Sequence, residues 1–279
     1  MSTIYPITVL IVGGLGNQLF QIFATMSYAL DHNLPFVFPY SEISPSTITR
    51  YTFWDTFLKE LKRFTETFDT NTYSKWDQGG FPYKQIPFLT QPTCLTGYYQ
   101  THKYFEKNYE IITKLIKLRE QQEAVKEEYK KYFETTKQTI SMHFRMGDYK
   151  GKEHIHPIMP IDYYFIALNQ FDKSTPYRIN FFCEKEDKKD VFAIISALKP
   201  YFEMMEFVHV ENDIPDYKQM LLMSICDHNI IANSTFSWWG AYFNSNADKK
   251  VMYPSIWFGP WGNAYVYDLF PTSWKKIDL

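Results

Sequence analysis

Ile7-Thr8-Val9-Leu10-Ile11-Val12, followed by Gly13-Gly14-Leu15-Gly16-Asn17, is the stretch whose reading decides the fold. The first six residues are almost wholly apolar and rich in β-branched side chains, as in a strand covered on both faces. The glycines break the strand. From Gln18 to Leu30 the apolar positions Leu19, Ile22, Phe23, Met26 and Leu30 recur at helical spacing. Leu34-Pro35-Phe36-Val37-Phe38 then reads as a second strand and completes a βαβ unit.

Outward from this unit, residues Tyr40 to Gln100 are irregular in pattern and are expected to form loops with short helices. Asn108 to Thr136 is a charged amphipathic helix or helix pair and marks a junction. It divides the chain into an N-terminal half, 1–137, and a C-terminal half, 138–279. The second half alternates regularly. Strands are expected at Thr139–Arg145, Tyr177–Cys183, Met205–Val210, Asn229–Ala232 and, last, Lys250–Tyr253. Helices are expected at Ile161–Phe171, Asp187–Leu198, Asp216–Met223 and Ser234–Phe243. Strand and helix in alternation define an α/β fold with parallel sheets.

Composition narrows the partners. Lys and Arg number 29 against 31 Asp and Glu, a net charge of -2, so no general field draws nucleic acid or an anionic membrane. An anionic ligand must be held by a local cluster. Aromatic residues make up 19% of the chain, most of them expected in the core and a few available as sugar-stacking platforms. Three cysteines, Cys94, Cys183 and Cys226, are too sparse for a disulfide framework and suit a reducing compartment. No run approaches the ~20 apolar residues needed to cross a bilayer, and no secretion signal opens the chain, so a cytoplasmic location without an integral membrane segment is expected.

Three segments carry chemistry. The first is Gly13-Gly14-Leu15-Gly16-Asn17-Gln18-Leu19. A glycine turn between strand and helix lets a ligand approach backbone N–H groups. It is a poor dinucleotide fingerprint, because Leu19 stands where the third glycine belongs and Phe38-Pro39-Tyr40 offers no acid for a ribose. The amides of Asn17 and Gln18 suit a hydroxyl-rich ligand instead. The second is His143-Phe144-Arg145-Met146-Gly147-Asp148-Tyr149, where a strand ends by presenting an arginine, a glycine and an acid. An arginine at a strand's C-terminal end is placed to fork onto a diphosphate. The third is Asn233-Ser234-Thr235-Phe236-Ser237-Trp238-Trp239-Gly240. Ser234 or Thr235 caps a helix, and the same helix start offers N–H groups and a positive dipole end to phosphate.

Taken in order, Gly-Gly-Leu-Gly-Asn-Gln-Leu-Phe-Gln, His-x-Arg-x-Gly-Asp-Tyr and Asn-Ser-Thr-Phe-Ser-Trp-Trp-Gly-Ala resemble the α-1,2-fucosyltransferase family. The tail agrees, with Tyr253-Pro254-Ser255-Ile256-Trp257-Phe258 and Asp268-Leu269-Phe270-Pro271-Thr272-Ser273-Trp274. The resemblance implies a GT-B-like architecture of two Rossmann-type halves facing across a cleft. The N-terminal half would take the acceptor and the C-terminal half the nucleotide sugar. It further implies inverting transfer of L-fucose from GDP-fucose to a glycan hydroxyl, the 2-OH of a galactose-type residue, without a metal or other cofactor. By position, Arg145 would bind the donor diphosphate beside His143. Ser234, Thr235 and Phe236 would line the nucleotide site, and Gly14, Gly16, Asn17 and Gln18 would border sugar and acceptor. The chain departs from the family at Met146, where a second arginine is usual, and at Cys183-Glu184-Lys185-Glu186, where Ser-Asp-Asp is usual.

An inverting displacement needs a base for the acceptor proton and a stabiliser for the departing diphosphate. Asp148 and Glu153 follow Arg145 closely and are the candidate bases, Asp148 ahead. No Asp-x-Asp is present to hold a metal, and His154-x-His156 lacks a third ligand. Two other readings stay open. One is transfer of a different 6-deoxy sugar, such as rhamnose, from another nucleotide. The other is a carbohydrate-binding protein without catalysis.

Overall fold

The computed structural model describes residues 5–44, 49–262 and 266–279. Its contacts form two compact units. The first runs through Arg119 and regains a segment ending at Pro271; the second begins at Glu120 and includes Thr272–Leu279. The division thus falls inside the charged helical segment, and residues 120–137 group with the second unit. The late return to the first unit has a local cause. Asp268 accepts from the Tyr83 backbone at 3.0 Å and pairs with Lys103, while its carbonyl accepts from the Thr101 hydroxyl at 2.5 Å.

In the first unit, β1 (Ile7–Val9) leads to α1 (Leu15–His32); β2 (Ser74–Asp77), β3 (Thr93–Thr96) and α2 (Tyr109–Leu115) follow, and α3 (Leu118–Glu128) begins at the junction. The sheet is parallel in the order β1-β3-β2. The strand expected over Ile7–Val12 is shorter because Val12 gives its N–H to the Gln21 side chain at 2.9 Å instead of to a neighbouring strand. The expected strand at 34–38 is reduced to a bridge between Ile7 and Phe36 and a two-residue pairing of Phe38–Pro39 with Thr65–Glu66. The larger correction is in residues 40–100, expected as loops and short helices, which supply β2 and the central strand β3. Four-residue strands carry too little periodicity to stand out, and their pairing in the sheet, β3 with β1 and β2 with β3, alone defines them.

Helix α1 is buried from Leu15 to Ala29, with Asn17 the one half-buried exception. A helix enclosed on all sides must satisfy its polar side chains within the protein. Gln21 does so by also donating to the Gly97 carbonyl (3.2 Å), Thr25 by donating to the Gln21 carbonyl (2.8 Å), and Ser27 by accepting from Asn108 (3.0 Å). The helix ends at Asn33, whose φ of 52° is the left-handed stop favoured by Gly and Asn.

The second unit contains β4 (Gln138–His143), α4 (Ile161–Leu168), β5 (Tyr177–Phe182), α5 (Lys188–Leu198), β6 (Met205–His209), α6 (Asp216–Ser224), β7 (His228–Ile230), α7 (Thr235–Tyr242), β8 (Val251–Pro254) and β9 (Lys275–Ile277). All six strands are parallel, in the order β6-β5-β4-β7-β8-β9. The expected elements are all present with ends shifted by up to three residues; β9, lying beyond the strand expected to be last, is an addition. The chain starts at the middle of the sheet, winds outward through β5 and β6, then returns beside β4 and winds the other way. The switch point therefore lies between β4 and β7, and open α/β sheets take their ligands outside the carboxyl ends of the strands at such a point.

Candidate active site

The period-two alternation of β4 sorts its side chains before any ligand is considered. Ile140, Met142, Phe144 and Met146 enter the core with Tyr163, Tyr164, Ile179, Phe181 and Ile230. Ser141 faces the other way and accepts from Asn229 at 2.7 Å, and Thr139 bonds Asp227. His143 and Arg145 continue this second, polar register past the strand's end. Met146, at the position of the family's usual second arginine, is a core residue with 5% of its surface exposed. Arg145 is the sole arginine of this motif.

Arg145 does not project freely into solvent. One guanidinium nitrogen, Nη2, donates to Asp148 Oδ1 at 2.6 Å, and the other, Nη1, to Glu184 Oε1 in the turn after β5. The guanidinium lies 5.3 Å from the Tyr149 ring centre. Asp148, the favoured base, is thus an orienting partner of the arginine. Burial pushes the Glu184 carboxyl above its usual range, although Arg145 works against that.

The loop carrying Arg145 is pinned from two sides. Asp187, 1% exposed, accepts from the Gly147 backbone at 2.5 Å and from Lys150 at 2.7 Å. The Tyr149 hydroxyl donates to the Asn233 carbonyl at 3.0 Å, joining the loop after β4 to the loop after β7. Glu153 is placed differently. It lies in an exposed turn and accepts from the Gly151 backbone at 3.0 Å, a bond that lowers its pKa. His154 packs edge-on against Trp261, and His156 stacks on Tyr149. Among the described residues, no three His, Cys, Asp or Glu groups cluster in a way that could hold a metal ion.

Across the switch point, Ser234 caps α7 by accepting from the Phe236 N–H at 3.4 Å. Buried aromatic packing holds this helix: Trp238 stacks on Tyr242 at 4.6 Å and meets Trp274 at 5.4 Å. Gly240 lets α7 approach Met223 of α6, because a Cβ there would come within 2.8 Å of that side chain. Phe236 reaches back to His143, with ring centres 5.7 Å apart. Burial, with the Arg145 charge adding, drives the His143 imidazole down to about 3, so the ring is neutral. His143 Nδ1 and Asn233 Oδ1 are buried without a hydrogen-bond partner. Buried polar atoms of that kind call for an explanation, of which a ligand is one.

The structure therefore gathers His143, Arg145, Asp148, Ser234, Thr235 and Phe236 at one edge of one sheet. Glu184, Asp187 and Tyr149 belong with them but were missed as site residues; Glu184 had been visible only as a departure from the family pattern. Gly14, Gly16, Asn17 and Gln18 lie in the first unit. Gly14 precedes α1 with open space around it, and Gly16 lies within the first helical turn. Asn17 accepts from Gln100 at 3.0 Å. Gln18 is 1% exposed and donates to the carbonyls of Gly13 (2.9 Å) and Tyr51 (2.8 Å), which fixes the glycine turn.

A doubly wound parallel sheet with an arginine and a capped helix start flanking its switch point is the arrangement of nucleotide-handling α/β proteins. The family model of glycosyl transferase family 11 matches residues 8–258, and the chain belongs to that family. It is 31% identical over 178 residues to the O-antigen biosynthesis glycosyltransferase WbnK of Escherichia coli, covering 59% of this chain and 55% of the relative. It is 25% identical over 236 residues to an α-1,2-colitosyltransferase of Escherichia coli, covering 78% of this chain and 71% of the relative. The chain thus spans little more than half the length of the first of these relatives. Among solved structures, Arabidopsis thaliana FUT1, a mutant in complex with GDP, superposes with a TM-score of 0.52 at 10% identity, over 89% of this chain and 70% of that one. That likeness supports the GT-B-like class of fold. No helix among the described residues is long and apolar enough to cross a membrane.

Proposed function

We propose that the chain transfers a 6-deoxy sugar, L-fucose from GDP-fucose, to a glycan hydroxyl with inversion and without a metal, the acceptor being the 2-OH of a galactose-type residue. The observation that carries this reading is the pairing of Arg145 and the Ser234 helix start on adjacent parallel strands at the switch point. Both are suited to a diphosphate, one by its fork of donors and the other by the positive dipole end and backbone N–H groups of a helix N-terminus. In the reaction the bond from the sugar's C1 to the diphosphate oxygen breaks as the acceptor oxygen bonds C1 from the opposite face. The diphosphate leaves as GDP, its growing charge met by Arg145, and the acceptor proton passes to a base. Asp148 is the nearest carboxylate of the motif, and its bond to Arg145 gives it a second role in aiming the guanidinium. Gly14, Gly16 and Asn17 would border the acceptor, with Gln18 shaping their turn.

A second reading keeps the reaction and changes the sugar. It is favoured by the relative named as an α-1,2-colitosyltransferase and by Glu184 beside Arg145, where the family pattern differs. Incubation with a panel of nucleotide sugars and a galactoside acceptor, followed by measurement of nucleoside diphosphate released, tests both. Release from GDP-fucose supports the first reading and release from another 6-deoxy-sugar nucleotide the second. No release from any donor would leave a carbohydrate-binding protein in their place.

A further inference from the structure

Arg145 is the proposed diphosphate anchor, yet its two terminal nitrogens are already occupied by carboxylates. The two partners differ in kind. Asp148 lies three residues along the same loop, so its contact is local. Glu184 comes from the turn after a different strand, its side chain is 39% exposed, and Arg145 is the only hydrogen-bond partner of its carboxylate among the described residues. Gly147 makes the contact sterically feasible: a Cβ at that position would collide with the Glu184 carboxylate. A diphosphate arriving at Arg145 would meet this carboxylate as a like charge in a partly desolvated site, where both cannot stay ionised at contact without cost.

Resting on the function proposed above, we propose that Glu184 is a positioning residue that holds Arg145 in the donor-free enzyme by occupying the place of one diphosphate oxygen, and that donor binding displaces it. Glu184 then sets the strength of donor binding by competition: the carboxylate must leave the guanidinium before the fork can close on phosphate. Other charges face the same carboxylate, namely Asp148 across the arginine and Glu186 and Asp187 on its own turn. All three are acidic and disfavour its ionised form, as burial does. Protonation of Glu184 therefore frees Arg145. Competition is strongest at high pH and fades as pH falls through the Glu184 pKa.

The test is calorimetric titration of the wild type, Glu184→Gln and Gly147→Ala with inorganic pyrophosphate and, separately, with GDP, from about pH 8.5 down to about 4.5, the ordinary glutamate value above which the Glu184 carboxyl is held. Glu184→Gln is expected to bind both ligands about tenfold more tightly at the upper pH. The advantage should shrink toward the lower pH, and the ligand's own titration cancels because it is common to both proteins. Gly147→Ala, which pushes the carboxylate away by its added methyl, should move affinity in the same direction, and thermal melts confirm that both variants are folded. In turnover, Glu184→Gln should lower the donor KM without raising kcat, since the product diphosphate is also held more tightly. Equal or weaker binding by folded Glu184→Gln, with no pH-dependent difference from wild type, overturns the proposal while leaving the transferase reading intact. The expected pattern with pyrophosphate but no binding of GDP supports the displacement and removes the donor assignment. No binding of either ligand by any of the three proteins overturns both.

Discussion

The Tyr149 hydroxyl donates to the carbonyl of Asn233 across 3.0 Å, so the loop that ends β4 is tied to the loop that ends β7 at the point where the sheet reverses its winding. Tyr149→Phe keeps the ring that stacks on His156 and removes this bond together with the hydroxyl's interaction with Arg145. A hydrogen bond of this kind contributes about 1 kcal/mol, so the melting temperature should drop by roughly 2 to 4 °C. Donor KM should rise as the two loops lose their register. Thermal melts and donor titrations check this, and an unchanged KM would mean that the tether does not shape the donor site.

Arg145→Lys keeps the charge and loses the two-pronged geometry. Charge-assisted bonds to a leaving group are worth about 2 to 4 kcal/mol, so kcat should fall roughly 30- to 1,000-fold. Arg145→Ala should be at least as damaging. With 20% of the side chain exposed and no core role, neither variant should lower the melting temperature by more than a few degrees. Steady-state kinetics alongside melts separate the outcomes: a folded Arg145→Ala enzyme with nearly normal turnover would remove the centre of the mechanism.

Activity should survive excess EDTA within about twofold, because a catalytic metal supplies several kcal/mol and its loss would be conspicuous. Assays with and without chelator decide this. Activity lost to EDTA and restored by Mn²⁺ would assign the leaving-group charge to a cation instead of Arg145.

Among GDP, UDP and dTDP, GDP should give the largest thermal shift and the tightest calorimetric binding. A pyrimidine nucleotide preferred by both measurements would overturn the donor while leaving the fold and the reaction class standing.

His143 predicts an acid sensitivity. Its folded-state pKa lies near 3, well below the usual histidine value, because burial disfavours the charged ring. Above about pH 6.5 both folded and unfolded states are neutral at this site and nothing is lost. As pH falls from there toward 3 the unfolded chain gains a proton that the folded one refuses, so stability declines by about 1.4 kcal/mol per pH unit over that window. His143→Gln should flatten the fall of melting temperature between about pH 6.5 and 4 relative to wild type. Parallel curves for the two proteins would show that His143 is solvated or charged in the native state.

The sequence by itself determined the α/β class and most elements of the second unit. Long strands such as Gln138–His143 and helices such as Lys188–Leu198 carry their own periodicity. It also determined the segments that meet at the site, since Arg145 and Ser234 stand just past apolar strands whatever the neighbours are. The tertiary structure decided what local pattern cannot encode. Thr93–Thr96 is the centre of its sheet only because two other strands lie beside it. Gln18, which reads as a ligand contact, is turned inward by two carbonyls that the fold brings to it. Glu184 reaches Arg145 from 39 residues away because β5 lies parallel to β4 and both end at the same edge. A hydrogen bond or an ion pair depends on distance in space, and distance in space between residues far apart in the chain is set only when the sheet has formed.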